Sequence, residues 1–532
     1  MRRPESARTT RAYRRGAGVA TVLVACAAPA LLLAPAALAT SLPARTFDAA
    51  ALAPLPAGAS ASAADPTVSA DGAVIAFDSP VAGGGSEVFA IDDLTGQRAL
   101  ISTVNGSPAG SESTDPSLSA NGTIIAFTSN AASSPPYPQA ITNVYVRLAS
   151  GGLGLVSAGI GGAPANGSSS EPVVSGNGDE VAFTSSATNL VPGDTSSSPQ
   201  VFVRNLLTGT TTLVSAAAGG GPGNGWASNP SINTNGRYIS FDSASTNLAG
   251  TGTSSVPQVY LRDTSAGTTR LISVTSGGKL QNAADTAPFR QVSAISGDGS
   301  LVAFDSNASN LVLGDVNRST DVFLRNVRRH RTTLISENNA GYEGNSVSFD
   351  PTFSANGTKV AFESYASNLA RGGGPGANVF VRDLALGTTS VIDVGPSGQR
   401  PSREQVATLL QRPVLSGNGN VAVFESTAAS LTRTASDAPH VFVRLMNPPE
   451  ARFTSSPPRT VGRSSVTVSV GADDRAARTF SCAVNRRTPF ACGPGRITFR
   501  HLHRGTNTLS IRAGGAGMLY QPTALTAKVT MP

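Results

Sequence analysis

The chain has 532 residues, with 40 Lys and Arg against 33 Asp and Glu, only 14% charged residues, 56 glycines and 35 prolines. Six arginines and one acid in residues 1–39 carry +5 of the net +7, residues 448–532 carry +9, and the stretch between them is left at −7. The basic balance therefore belongs to the two ends. Nucleic acid is disfavoured as a partner, because the central body is acidic and the arginines of the tail are scattered over several strands with few aromatics between them.

The chain begins with Arg2, Arg3, Arg8, Arg11, Arg14 and Arg15, followed by an Ala/Val/Leu-rich stretch that ends at Ala37-Leu38-Ala39. This pattern predicts a secretory signal over residues 1–39. Pro29 and Pro35 interrupt the apolar run and argue against a stable spanning helix, and the alternatives to cleavage are an uncleaved anchor and, from Leu23-Val24-Ala25-Cys26, a lipid-modified start. A secreted or envelope-associated location is expected in either case.

From residue 40 to 447 one pattern recurs seven times: Pro, two residues, Ser, a residue, Asp or Asn, Gly, an apolar run with Phe, and later Val-Phe-Val-Arg or a close variant. The turn glycines are Gly72, Gly122, Gly178, Gly236, Gly299, Gly357 and Gly419. A fixed period of this kind means one supersecondary unit reiterated. Each unit reads as four short strands, because β-branched and aromatic runs alternate with turn residues and no helical period competes. Two aromatic positions recur in every unit, from Phe77 and Phe89 to Phe424 and Phe442. They are expected in the core between neighbouring sheets, since a four-stranded sheet cannot cover both of its own faces.

The units resemble TolB-type propeller repeats, distant relatives of WD repeats, and the resemblance implies a seven-bladed β-propeller over residues 40–447. Two units depart from the pattern. Ser293 stands where Pro is expected, and Ile91 stands where the other units carry Arg. The seventh unit lacks a fourth strand, and Arg45-Thr46-Phe47-Asp48-Ala49-Ala50 is expected to supply it and latch the ring.

Connections on one face of such a ring are short, and those on the other are long, so ligand contacts are expected on the long side. The residues before each first-strand Pro open onto that mouth: Asp65, Asp115, Glu171, Asn229, Asp350 and Arg412, with Val292 in the fifth unit. They read either as a negative funnel for a cationic ligand or as turn caps. Trp226, Phe289, Tyr342 and Phe349 stand in the same loops, either as a floor for a sugar or peptide or as loop anchors.

Asp315, Asn317 and Asp321 place oxygen side chains at alternating positions, as a calcium loop would. Arg318 and the lack of a bidentate Glu weigh against it, so Ca2+ is an alternative to no cofactor at all. Asn189, Asn247, Asn310 and Asn368 each precede a Leu and are expected to bond the loop backbone and plug that leucine beneath it.

Residues 448–532 form a second domain entered through Pro448-Pro449, with at least five predicted strands. The run Thr479-Phe480-Ser481-Cys482, then Phe490-Ala491-Cys492, then Gly505 to Ala513 is similar to a bacterial immunoglobulin-like module. That resemblance implies a β-sandwich and a Cys482–Cys492 disulfide. The basic charge of the tail suggests attraction to anionic envelope polymers.

No Gly-x-Ser-x-Gly motif occurs, and the four histidines fall in no nucleophile or metal pattern. The expected function is therefore a non-catalytic, monomeric binding or scaffold protein with a protein, peptide or carbohydrate ligand. The alternative is a metal-assisted hydrolase or lyase acting on a polysaccharide or a lactone at the channel.

Overall fold

The computed structural model describes residues 46–48 and 63–532 apart from short segments, of which 131–140, 284–290, 395–411, 432–438, 473–478 and 515–524 are the longest. The signal segment, Cys26 and Phe289 lie outside the described residues. Among those described there is no α-helix, and the chain is all-β.

Seven antiparallel sheets of four strands follow one another, as the repeat predicts. The third is representative: Ser169–Val174, Glu180–Ser185, Gln200–Asn205 and Thr211–Leu213, in chain order. Gly178, at φ +81°, makes the first turn, a conformation that costs a residue with a Cβ and that glycine adopts freely. In the seventh sheet the order is Val414–Leu415, Val421–Ser426, His440–Leu445 and then Thr46–Asp48, paired through Thr46↔Arg444, Phe47↔Val443 and Asp48↔Phe442. The latch expected from the sequence is thus present.

Register explains the recurring aromatics. Each second-strand Phe stands directly opposite the third-strand Phe or Tyr, and the seven pairs stack with ring centroids 5.8 to 6.3 Å apart. Each pair faces apolar residues of the preceding sheet, most of them valines. Phe183 and Phe202 meet Val144 and Val146, and Phe77 and Phe89 meet Val441 and Val443 across the seam between the last sheet and the first. Buried aromatics of this size dominate core energetics.

A circuit of backbone hydrogen bonds joins the turns at the glycine end. Ala70 N–H donates to the Ala120 carbonyl, Ala120 to Gly176, Asn177 to Thr234, Thr234 to Gly297, Gly297 to Ala355, Asn356 to Gly417 and Asn418 back to Ala70, at 2.8 to 3.1 Å. The centre is narrow there. A Cβ on Gly297 would lie 2.5 Å from the Ala355 carbonyl oxygen, and one on Gly417 would lie 2.6 Å from the Ala70 Cβ.

The loop plugs also form as expected. Asn189 Oδ1 accepts the Asn166 N–H and its Nδ2 donates to the Pro164 carbonyl, and the same pattern recurs at Asn310 and Asn368. Leu190, Leu248, Leu311 and Leu369 are buried behind them.

The C-terminal residues form a three-stranded sheet (Ala451–Phe453, Ser465–Ala472, Gly495–Arg500) and a four-stranded one (Phe490–Cys492, Thr479–Val484, Gly505–Gly514, Leu525–Met531). Alternate residues Val466, Val468 and Val470 of one sheet pack with Phe480, Cys482, Leu509 and Ile511 of the other. Cys482 and Cys492 are joined by a disulfide, with Cα atoms 6.1 Å apart.

Candidate functional site

The six residues that precede a first-strand proline share a backbone conformation not foreseen for them. Their φ values are +48° at Asp65, +53° at Asp115, +56° at Glu171, +52° at Asn229, +49° at Asp350 and +40° at Arg412. A residue before proline ordinarily stays extended. For five of the six the register shifts at the same place, between Ala64 and Thr67, Thr114 and Ser117, Ser170 and Val173, Ser228 and Ser231, and Phe349 and Thr352, whereas the pairing of the seventh sheet's first strand begins at Val414, beyond Arg412. Each pair is therefore a β-bulge, where the missing proline N–H leaves no gap in the ladder. Val292 before Ser293 has no such bulge, and that strand is only Ser293–Ile295.

Strained backbone of this kind persists when its surroundings hold it, and carboxylates from the neighbouring sheet do so here. Asp65 N–H donates to Glu425 Oε1 at 2.6 Å, Asp350 N–H to Asp305 Oδ2 at 3.0 Å, and Arg412 N–H to Glu363 Oε1 at 2.8 Å. These acceptors all lie just after the core Phe of a second strand. The third sheet has Thr184 at that place, and Glu171 folds back to it: Thr184 Oγ1 donates to Glu171 Oε2 at 2.7 Å, and Asn229 N–H to the same oxygen at 2.9 Å. Asn229 Nδ2 also donates to Asp242 Oδ2 at 3.1 Å.

The mouth thus has two tiers of acids, the bulge residues above and Asp78, Asp242, Asp305, Glu363 and Glu425 buried below. The sequence reading missed the lower tier. Its only mark in the sequence was an acid after the repeated Phe, which strand alternation already explains. Arg412 pairs with Asp65 at the rim. Burial pushes Asp78 up to about 7, helped by Asp115 and Glu425 nearby, and burial pushes Glu425 up to about 7 against the pull of Arg412. Burial and then Glu171 raise Asp115 as well. Asp78 is 5% exposed, and its Oδ1 has no hydrogen-bond partner. Carboxyl groups held near neutrality are equipped to give or take protons at ordinary pH.

The aromatic candidates fall differently. Trp226 and Tyr342 are exposed, whereas Phe349 is buried and stacked on Tyr365 at 6.1 Å, which makes it a core residue rather than a ligand floor.

Asp315 and Asp321 come together with Glu343, their carboxylate oxygens within 4.8 Å of one another. Glu343 was not foreseen, because it arrives from a separate loop, where it accepts the Val316 N–H. Asn317 turns its amide nitrogen to Asp321 Oδ2 and the Gly344 carbonyl, and its oxygen takes the Ser319 N–H, so it holds the loop rather than facing a cation with oxygen. Burial raises Asp321 to about 7 and Asp315 to about 6, with Glu343 adding to both shifts.

No protein-family model matches the chain, and no curated protein sequence does. Solved structures do resemble it. TolB from Acinetobacter baumannii shares 14% identity over 72% of this chain and 78% of its own, with a TM-score of 0.35. An oligogalacturonate lyase from Vibrio parahaemolyticus shares 11% over 74% and 93%, at 0.42. An acylaminoacyl peptidase from Pyrococcus horikoshii shares 10% over 79% and 59%, at 0.40. These are propeller-like proteins, in keeping with the sheets described above. The expectation of a non-catalytic binding protein that is not an enzyme is corrected at this point, because similar structures include lyases, peptidases and a puromycin hydrolase.

Proposed function

We propose that the chain is a hydrolase or lyase acting on a polysaccharide or a lactone at the loop-rich mouth of a seven-bladed propeller. The observation that supports this most is the pair Asp78 and Glu425, two buried carboxyls raised to about 7, with Glu425 among the charges that raise Asp78. A carboxylate there can take a proton from a carbon or from an attacking water, and a protonated partner can return one to the leaving oxygen. Arg412 at the rim would hold an acidic group of the substrate through charge-assisted hydrogen bonds.

A divalent ion fits best at Asp315, Asp321 and Glu343, which offer the hard oxygen donors that Ca2+ prefers. Bound there, it would offset three neighbouring negative charges and fix the loop. The remaining parts of this reading are export through residues 1–39, a monomeric state, and an Ig-like C-terminal module whose basic surface is drawn to anionic envelope polymers. Incubating the full-length protein with uronate polysaccharides, neutral polysaccharides and lactones, with and without calcium, tests the activity. Product formation that falls strongly in Glu425→Gln is the expected result.

A further inference from the structure

On the short-turn face, at the seam between the fourth and fifth sheets, lies a cavity of about 300 Å3 that neither the acids of the mouth nor the calcium loop explain. Its walls include Arg270, Arg328 and His330, over a floor of Tyr238, Leu261 and Val327. Both acids at its edge are already engaged. Asp263 holds Arg237 through two bonds of 2.9 and 2.8 Å and accepts the Ser265 and Ala266 N–H groups. Asp298 accepts Ser296 Oγ and the Ser300 N–H, and lies 3.9 Å from Arg328. Among the described residues Arg270 has no ion-pair partner. With Asp263 taken by Arg237 and Asp298 beside Arg328, the Arg270 guanidinium is the charge of the lining left without an ion-pair partner.

The repeat supplies its own control. The register position of Arg270 is held elsewhere by Ala99, Gly154, Thr212, Thr333 and Ser390, none of them charged. His330 stands where other turns have Gly209, Gly267 and Gly387, at φ +68°, +66° and +65°, and it adopts φ +53° itself. A side chain in that conformation is disfavoured relative to glycine, so the fold alone gives no reason for a histidine there. The two guanidinium groups and the imidazole coincide at this one seam, around an aromatic and aliphatic floor.

We infer that this seam pocket binds a small oxyanion, a carboxylate or a phosphate monoester, with the ring or apolar body of the ligand lying on Tyr238 and Leu261. The pocket opens on the face opposite the acidic mouth, so its test is separate from that of the catalytic reading. Phenyl phosphate is the probe, with benzoate and inorganic phosphate beside it, added to the full-length protein and followed by calorimetry and by the thermal midpoint. Binding of phenyl phosphate or benzoate is expected, tighter than inorganic phosphate, and weakened about tenfold in Arg270→Gln as one charged hydrogen bond is lost. His330→Gly is expected to raise the midpoint of the free protein while weakening the probe. No binding of either aromatic probe, or equal affinity in the Arg270→Gln/Arg328→Gln double variant with its fold confirmed by circular dichroism, would overturn the proposal. A midpoint lowered by His330→Gly would remove the argument that this residue is kept for a ligand.

Discussion

Phe47 stands directly opposite Val443, so a segment that precedes every repeat completes the last of the seven sheets. Without it the His440–Leu445 strand becomes an open edge, the kind of surface that pairs with other chains. Three residue pairs, at about 1 kcal/mol per net hydrogen bond, put the loss at roughly 2–3 kcal/mol. Removing residues 40–52 is expected to lower the thermal midpoint and promote association in light scattering, and an unchanged midpoint would show that the pairing does not close the structure.

The stacked aromatics carry the core. Phe304→Ala deletes a fully buried ring that packs on Phe323 at 5.8 Å and against Val259 and Leu261. Such a change is expected to cost about 3–5 kcal/mol in denaturant unfolding. Tyr342→Ala, at an exposed loop position, is expected to cost under about 0.5 kcal/mol. Equal losses would mean that the strands are wrongly assigned.

The raised carboxyls predict how stability depends on pH. A group with a folded pKa near 7, well above its unfolded value, binds more protons in the native state, so its contribution is full at low pH and fades as pH rises toward 7. Melting temperature is expected to fall from about pH 4.5 to 7. Asp78→Asn, which keeps the shape without the charge, is expected to flatten that slope. Asp263, lowered by its bond to Arg237, works the other way but only below its ordinary range. A slope unaffected by Asp78→Asn would contradict the assignment.

Calcium has a direct test because the Glu343 carboxylate, which accepts the Val316 N–H, comes within 4.8 Å of the Asp315 and Asp321 carboxylate oxygens. If Asp315, Asp321 and Glu343 hold the ion, calcium added after chelation raises the midpoint by mass action. Glu343→Gln removes most of that rise and leaves the chelated protein nearly unchanged. No calcium-dependent shift in the intact protein would end the proposal.

What the sequence made legible were features the repeat writes seven times or fixes locally: the turn glycines, the aromatic pairs, the Asn-Leu plugs. The site was harder to read, for physical reasons. Three of the lower acids, Glu425, Asp305 and Glu363, accept backbone amides at least 45 residues away in the chain, from Asp65, Asp350 and Arg412. Positive φ before proline runs against local preference, and at Asp65, Asn229 and Asp350 it coincides with a bulge and with a neighbouring carboxylate that accepts the same residue's N–H. Four of the repeated arginines, Arg147, Arg325, Arg382 and Arg444, clamp the preceding unit, while Arg204 and Arg262 bond within their own sheets. Arg147 donates to the Ile101 carbonyl of the preceding unit at 2.9 Å, and Arg325 to Thr275 at 3.0 Å. Even the departure at Ile91 has a counterpart, since Arg98 stands opposite it in register and places a guanidinium 4.0 Å from the Phe89 ring.

If Asp78 and Glu425 are a proton-transfer pair, the pH dependence of turnover on a polysaccharide or lactone substrate reads it out. The rate is expected to change through an inflection near pH 7, displaced or lost in Glu425→Gln and in Asp78→Asn, while both variants remain folded. A profile that is flat through neutrality, or one that both variants reproduce, would contradict it.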